Sequence, residues 1–144
     1  EADIEEWGYK FHMNDVCATV GIENLKHADE IIEKHKSNAK FYDENLKDVE
    51  GLTLLKREDG FDSSFWIYSV LVNDRDKFYK HMGDHGIAVS QVHERNDKHT
   101  CVREFVCSLP NLDKTIGKMV SIPVGWWVTP EDRQYIVDTI KKGW

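Results

Sequence analysis

Residues 65–72 read FWIYSVLV, the stretch that decides the fold. Aromatic and β-branched side chains of this kind suit the pleated surface of a sheet, so the stretch predicts the central strand. Residues 52–55 predict a second strand before it. The next segment, 74–85, predicts a helix with Phe78 and Met82 facing inward and Gly86 ending it. Residues 87–93 alternate in polarity and predict a third strand.

A long apolar stripe precedes these strands. Its members recur at spacings of three and four, which predicts one long amphipathic helix capped by Asn14, or two helices kinked near Gly21. Such a stripe commonly bridges two bodies or packs along a partner, because one small sheet cannot cover it. The stripe consists of Leu25, Ala28, Ile32, His35, Ala39, Tyr42 and Leu46.

The C-terminal third contains an irregular stretch and then a helix. Residues 94–114 show no clear period and predict a long loop with one helical turn near 102–105. Thr129, Pro130 and Asp132 combine a capping hydroxyl, a proline at the first helical position and an acidic residue, which predicts a final helix. The fold class is therefore α+β, a small, mostly antiparallel sheet covered by helices, with a long N-terminal connecting helix.

Composition narrows the functional classes. The 144 residues carry a formal charge of -7 without a basic stripe, so we expect no nucleic-acid partner. No apolar run approaches the roughly 20 residues that cross a bilayer, and the acidic first residues do not resemble a secretory signal. Three cysteines with no C-x-x-C spacing fit free thiols, so we expect a cytoplasmic location. A chain that begins at Glu1 without methionine is expected to be a piece of something longer.

Two possible reactive sites are weaker than their structural alternatives. His81 and His85 lie one helical turn apart and could share a metal ion, but no further ligand motif supports them, so we expect solvated histidines and no metal. Cys17 lies near a helix start, where a thiolate is stabilised. Its apolar neighbours instead predict a buried structural thiol.

Two polar segments are candidates for binding. Residues 8–15 alternate polar with aromatic and apolar side chains ahead of a helix, and residues 92–99 follow a predicted strand with six polar or charged residues in succession. A scaffold often places binding groups just beyond a strand end. A solvated loop explains the same composition equally well, and the residues alone leave both alternatives open.

Three motifs carry a resemblance to a known family. Residues 8–15, GYKFHMND, continue into VCATVGIENL and resemble the G-[FY]-N-x-R-M-[TN]-[DE] motif of the DegT/StrS aminotransferases. Residues 35–46 are similar to the R-x-x-x-A-x-x-Y-x-x-x-L helix of that family. Residues 121–124, SIPV, with 129–136, are similar to its terminal motif, and the three matches span nearly the whole chain in order.

The resemblance implies the C-terminal portion of a pyridoxal phosphate enzyme of fold type I that acts as a homodimer on a nucleotide-linked keto-sugar with an amino-acid donor. It divides the chain into residues 1–48, the cofactor-proximal loop and connecting helix, and 49–144, the small domain. It assigns the cofactor phosphate to Tyr9, Lys10 and His12, although Lys10 and His12 replace the usual asparagine and arginine. Both replacements can still donate a hydrogen bond.

The substrate side is assigned, on the same resemblance, to His93, Arg95 and Asn96. The family's catalytic lysine lies in a large domain outside these residues, so we expect the chain alone to be inactive and assign it no catalytic residue. Some relatives replace that lysine with histidine and are sugar dehydrases, which these residues cannot distinguish from aminotransferases. A non-catalytic module that binds a sugar nucleotide or a partner is the alternative from another class.

Overall fold

A computed structural model describes residues 3–9 and 13–144, and its strands form one three-stranded sheet. Two short 3-10 helices, Asn96–Lys98 and Thr100–Phe105, lie in the stretch expected to be a loop, so the helical turn predicted near 102–105 is confirmed. The other elements are α1 (Asp15–Leu25), α2 (Ala28–Leu46), β1 (Leu52–Leu54), β2 (Tyr68–Val72), α3 (Arg75–Asp84), α4 (Pro110–Thr115), β3 (Met119–Ile122) and α5 (Pro130–Lys141).

Strand β2 is the centre of the sheet, as its sequence predicts. It pairs antiparallel with β1 on one side and with β3 on the other. Tyr68, Val70 and Val72 point to one face and are buried there, whereas the Oγ atoms of Ser69 and Ser121 lie 3.0 Å apart on the opposite face. The α+β class with a small antiparallel sheet is confirmed.

The third strand lies elsewhere than predicted. Residues 87–93 form no strand and touch the sheet through one bridge, in which Ser90 and Ser121 exchange backbone hydrogen bonds of 3.1 and 2.7 Å. The strand that completes the sheet is β3, which follows α4. Alternation indicates a half-buried extended segment, and Ile87 is indeed buried. The prediction was wrong because alternation does not determine which strand such a segment pairs with.

The N-terminal stripe forms two helices. Asn14 caps α1, because its Oδ1 accepts a hydrogen bond of 2.9 Å from the amide of Cys17. The helices separate at Lys26 and His27, where the turn tightens through hydrogen bonds to Glu23 and Asn24, so the kink expected near Gly21 was misplaced. The stripe is buried only towards the end of α2, while α1 contains no buried residue.

Helices α2, α3 and α5 cover the buried face of the sheet and complete the core. Phe78 and Met82 of α3 are fully buried, as their spacing predicts, and α5 begins with a complete capping box between Thr129 and Asp132. The core draws on both predicted parts of the chain, and the division at residue 48 stays a prediction. The buried apolar side chains are Ala39, Tyr42, Leu46, Leu52, Tyr68, Val70, Val72, Phe78, Met82, Ile87, Val120, Ile122, Val124, Val128, Ile136, Val137 and Ile140.

A buried amide on α2 holds the loop between β3 and α5. The Asn38 Nδ2 group lies 3.3, 3.1 and 3.2 Å from the carbonyl oxygens of Val124, Gly125 and Val128, to which it donates. Its Oδ1 accepts from Arg133 at 3.2 Å. One turn along α2, the Tyr42 hydroxyl donates to the Pro123 carbonyl at 2.8 Å, and burial raises the pKa of this hydroxyl above its ordinary value.

We expect Asn38→Ala to lower the free energy of unfolding by about 2–3 kcal/mol, because it removes the donor that three carbonyl groups share, only one of which keeps a backbone amide donor among the described residues, and because it removes an acceptor of Arg133. Urea unfolding followed by circular dichroism measures this loss. Asn45→Ala on the same helix is the matched control, since the Asn45 amide donates only to the carbonyl of Phe41 within that helix. Equal losses in the two variants would contradict a special role for Asn38.

Candidate functional site

The predicted cofactor-side segment lies on the surface where it is described. The Tyr9 side chain is exposed, and its ring meets the ring of Trp7 edge-on at 5.7 Å between centroids. Lys10 and His12 lie outside the described residues. Met13, which follows them, is also exposed. Exposed side chains, those of Tyr9 and Met13, therefore flank Lys10 and His12 in the sequence.

The same N-terminal segment is joined to the second candidate segment. The carboxylate of Asp3 accepts hydrogen bonds from the Thr100 amide at 3.0 Å and from the Thr100 hydroxyl at 2.5 Å. These bonds hold the pKa of the Asp3 carboxyl below its usual range. The amide of Cys101 donates to the Ile4 carbonyl at 3.0 Å. The structure thus connects the chain just before Tyr9 to the chain just after the predicted substrate-side residues.

The three predicted substrate-side residues have different surroundings. Three N–H groups of Arg95 donate to carboxylates, two to Asp97 at 2.8 and 2.6 Å and one to Asp113. These bonds raise the pKa of Arg95 further and lower that of Asp97. His93 is exposed beside Trp66, with 6.1 Å between ring centroids, and Asn96 is exposed. His93 and Asn96 face solvent, whereas Arg95 ties its loop to α4.

A groove with tryptophans at its edges lies next to His93. It has a volume of about 280 Å³, and Trp66 and Trp127 are 70% and 64% exposed. The groove was not predicted from the sequence, although two consecutive tryptophans between a strand and a helix cap indicate an exposed aromatic surface. We call it the aromatic groove; its main lining residues are Trp66, Ile67, Val92, Pro123, Val124 and Trp127.

The residue before Trp66 has an unusual backbone. Phe65 has a φ of 51°, in the left-handed region that costs an aromatic L-residue about 1–2 kcal/mol. Its amide donates to Ser63 Oγ at 3.1 Å, and its carbonyl accepts from Nδ1 of His35 at 3.0 Å. The guanidinium of Arg57 lies 4.6 Å from the centroid of its ring. These contacts hold the strained turn that begins β2 and leave Trp66 pointing outward.

His81 on α3 and His85 at its C-terminal cap each form a hydrogen bond with a backbone carbonyl oxygen. Nε2 of His81 donates to the Thr139 carbonyl at 2.9 Å, and Nδ1 of His85 donates to the His81 carbonyl at 2.8 Å. A carbonyl oxygen only accepts, so each of these nitrogens carries its proton and is not a free metal ligand. Among residues 3–9 and 13–144, no group of three potential ligands lies close enough to hold a metal ion.

Cys17 is exposed, so the prediction of a buried thiol was wrong. Its apolar neighbours indicated burial, but Val16 and Val20 are exposed as well, because no described part of the chain covers α1. We call the exposed apolar side chains Met13, Val16, Val20 and Leu25 the α1 surface. Within the described part of the chain, no helix is long and apolar enough to cross a bilayer.

Comparison with known proteins agrees with this architecture. The structure is similar to that of the sugar aminotransferase CalS13 from Micromonospora echinospora, with a TM-score of 0.89 and 43% identity over 96% of this chain. It is also similar to AtS13 from Actinomadura melliaura, with a TM-score of 0.88 and 46% identity over 99% of this chain. A UDP-4-amino-4,6-dideoxy-N-acetyl-β-L-altrosamine transaminase of Campylobacter jejuni is 24% identical over 97% of this chain.

The match covers only part of each relative. The chain spans 37% of CalS13, 38% of AtS13 and 39% of the Campylobacter protein. The model of the DegT/DnrJ/EryC1/StrS aminotransferase family matches residues 2–141, nearly the whole chain. The chain therefore belongs to the DegT/DnrJ/EryC1/StrS aminotransferase family.

Proposed function

We propose that these residues form the C-terminal part of a pyridoxal phosphate-dependent aminotransferase that acts on a nucleotide-linked keto-sugar. The observation that carries the proposal is the match to CalS13, a sugar aminotransferase, at 43% identity and a TM-score of 0.89. Residues 1–48 approach the cofactor and connect to a large domain, and residues 49–144 form the small domain beside the substrate. The complete enzyme is a cytoplasmic homodimer.

The exposure of the α1 surface supports the proposal that a large domain or another subunit packs against α1. Its four apolar side chains are 55–75% exposed, and α1 contains no buried residue. Val16 and Val20 lie one helical turn apart on the same side of α1, and exposed apolar side chains grouped in this way are typical of an interface rather than of a solvated helix. A large domain and a neighbouring subunit would both provide such a cover.

The residues of the N-terminal segment fit a phosphate group in their chemistry. Tyr9, Lys10 and His12 offer a hydroxyl, an ammonium and an imidazole within four positions, and the described one, Tyr9, is exposed. A phosphate dianion accepts hydrogen bonds from all three types of donor. When bound, pyridoxal phosphate supplies the carbonyl carbon that takes the amino group and a ring that delocalises developing negative charge. This segment would hold the phosphate, while the lysine that binds the carbonyl carbon belongs to the large domain.

His93 and Asn96 would contact the sugar side of the substrate. Both are exposed, and His93 lies beside Trp66, which lines the aromatic groove. Arg95 has a different proposed role, because Asp97 and Asp113 already accept three of its N–H groups. It would position the loop that presents its two neighbours. A sugar dehydrase has the same substrate class and remains the alternative to be tested in the complete enzyme.

The 144-residue chain is expected to show no aminotransferase activity, because the proposed catalytic lysine is not among its residues. Pyridoxal phosphate titrated into the chain should give no saturable, stoichiometric absorbance change beyond that of surface lysines. An N-acetyl-lysine solution at matched pH and a lysine-rich protein of other fold serve as references. A stoichiometric band abolished by replacing one lysine of this chain would overturn the proposal and favour an autonomous cofactor site.

The proposed phosphate donors would serve the active site of the neighbouring subunit. Lys10→Ala subunits mixed with subunits that lack the large-domain lysine should then regain activity, because a mixed dimer contains one intact site. One charge-assisted hydrogen bond is worth about 1.5–3 kcal/mol, so Lys10→Ala alone should weaken cofactor retention roughly tenfold or more. Absence of complementation, with mixed dimers verified by mass, would place the loop over its own subunit.

In the substrate-side loop, replacing an exposed residue by alanine should have a different effect from replacing the ion-paired arginine. In the complete enzyme, His93→Ala should raise KM for the nucleotide sugar several-fold with little change in melting temperature, because the side chain is solvent-exposed. Arg95→Ala should lower the melting temperature, because it leaves two carboxylates without their partner. Asn96→Ala tests the third position in the same assay. Unchanged KM in His93→Ala and Asn96→Ala would show that these residues belong to a solvated loop.

A further inference from the structure

We propose that the aromatic groove binds one uncharged ring of a ligand, stacked on the indoles of Trp66 and Trp127. The proposal concerns a site distinct from the residues assigned to the cofactor phosphate. It rests on the proposed function only for the source of the ring, which is the base or the sugar of a nucleotide-linked sugar. The shared chemistry is an uncharged ring with one face that can lie against an indole.

Trp66 is presented by a strained turn. Phe65 adopts its left-handed backbone under three separate contacts, from Ser63, His35 and Arg57. A strained backbone conformation persists only where several surrounding contacts hold it. Such residues are common at ligand-binding sites. The turn leaves Trp66 at 70% exposure on the edge of the groove.

The absence of a side chain at Gly125 leaves room for the Trp127 indole. A Cβ at position 125 would overlap the six-membered ring of the Trp127 indole, so the indole lies directly over the Gly125 backbone. The His35 ring meets the Trp127 ring edge-on, with 6.4 Å between centroids and an interplanar angle of 88°. His35 also donates to the carbonyl of Phe65, and therefore contacts the supports of both tryptophans.

Hydrogen bonds from α2 hold the loop that carries Trp127. The Asn38 amide donates to the carbonyls of Gly125 and Val128, which lie on either side of Trp126 and Trp127 in the sequence. A ligand site built on such a supported loop is preorganised, so binding loses less conformational entropy. The two edges of the groove are thus held by α2 through His35 and Asn38.

The lining of the groove selects the ligand class. The described residues that line it are apolar apart from the hydroxyl groups of Ser90 and Ser121, and none of them carries a charged side chain. A diphosphate would therefore find no cation among them. The volume of about 280 Å³ lies just below the range of roughly 300–1,000 Å³ that accommodates a whole drug-sized ligand. One ring fits, and indole faces stack on rings with little dependence on sequence or substituents.

The test uses the indole N–H signals of the five tryptophans in a ¹H–¹⁵N spectrum of the 144-residue chain. Thymidine and methyl β-D-glucopyranoside are titrated separately, which distinguishes a base from a sugar ring, and sodium phosphate is the third arm. We expect saturable shifts of the Trp66 and Trp127 signals with at least one of the two ring compounds. Phosphate alone should leave both signals unchanged, and a saturable response to phosphate would overturn the proposal.

Replacement variants complete the test. Trp66→Ala and Trp127→Ala should each weaken binding roughly 5- to 100-fold, the loss expected for one stacking face. Trp7→Ala is the matched control, since Trp7 is 71% exposed and does not line the groove, and it should bind as the parent chain does. Gly125→Ala should displace the Trp127 indole and weaken binding while all five tryptophans remain present.

The absence of saturable shifts with both ring compounds, or undiminished binding by Trp66→Ala and Trp127→Ala, would overturn the groove as a ring site. These outcomes are independent of catalysis. If the complete enzyme transfers no amino group but the groove still binds a ring, the proposed function fails and this inference stands. If amino transfer is present and the groove binds nothing, the reverse holds.

Discussion

The hydrogen bonds of the buried Asn38 amide are the constraint on which the functional side of this structure depends. One side chain on α2 donates to three carbonyls of the loop between β3 and α5 and accepts from Arg133 on α5. A loop whose carbonyl groups turn inward needs such donors, because buried unpaired carbonyls are costly. The same helix supports the other side of the groove through His35. Helix α2 therefore organises both edges of the surface that carries the exposed tryptophans.

Local rules predicted the elements that depend only on neighbouring residues. Thr129, Pro130 and Asp132 specify the start of α5 within four positions, and Phe78 and Met82 mark the inner face of α3 at one helical turn. The strand expected at residues 87–93 failed because strand pairing is decided by a partner distant in sequence. In the structure that partner is β3, which follows a stretch without a readable period.

The exposure of the candidate loop was predictable from the sequence, whereas the contacts of its residues were not. Polar residues after a predicted strand did indicate an exposed loop at His93 and Asn96. The hydrogen bond between Arg95 and Asp113 could not be predicted, because Asp113 lies 18 positions away in the sequence and is placed near Arg95 by the fold of α4. The aromatic groove was missed because Trp66 reads as a strand residue, and only the left-handed turn at Phe65 takes it out of the strand.

Helix α1 has 11 residues and buries none of them. An isolated helix of fewer than about 12–15 residues is marginal in water, since nucleation is costly and few hydrogen bonds offset it. Its capping by Asn14 contributes about 1 kcal/mol and does not remove that deficit. The helical content of α1 is therefore thermodynamically linked to whatever surface covers it. Amide hydrogen exchange along Asp15–Leu25 would slow in proportion to that coverage, which makes α1 an intrinsic reporter of assembly.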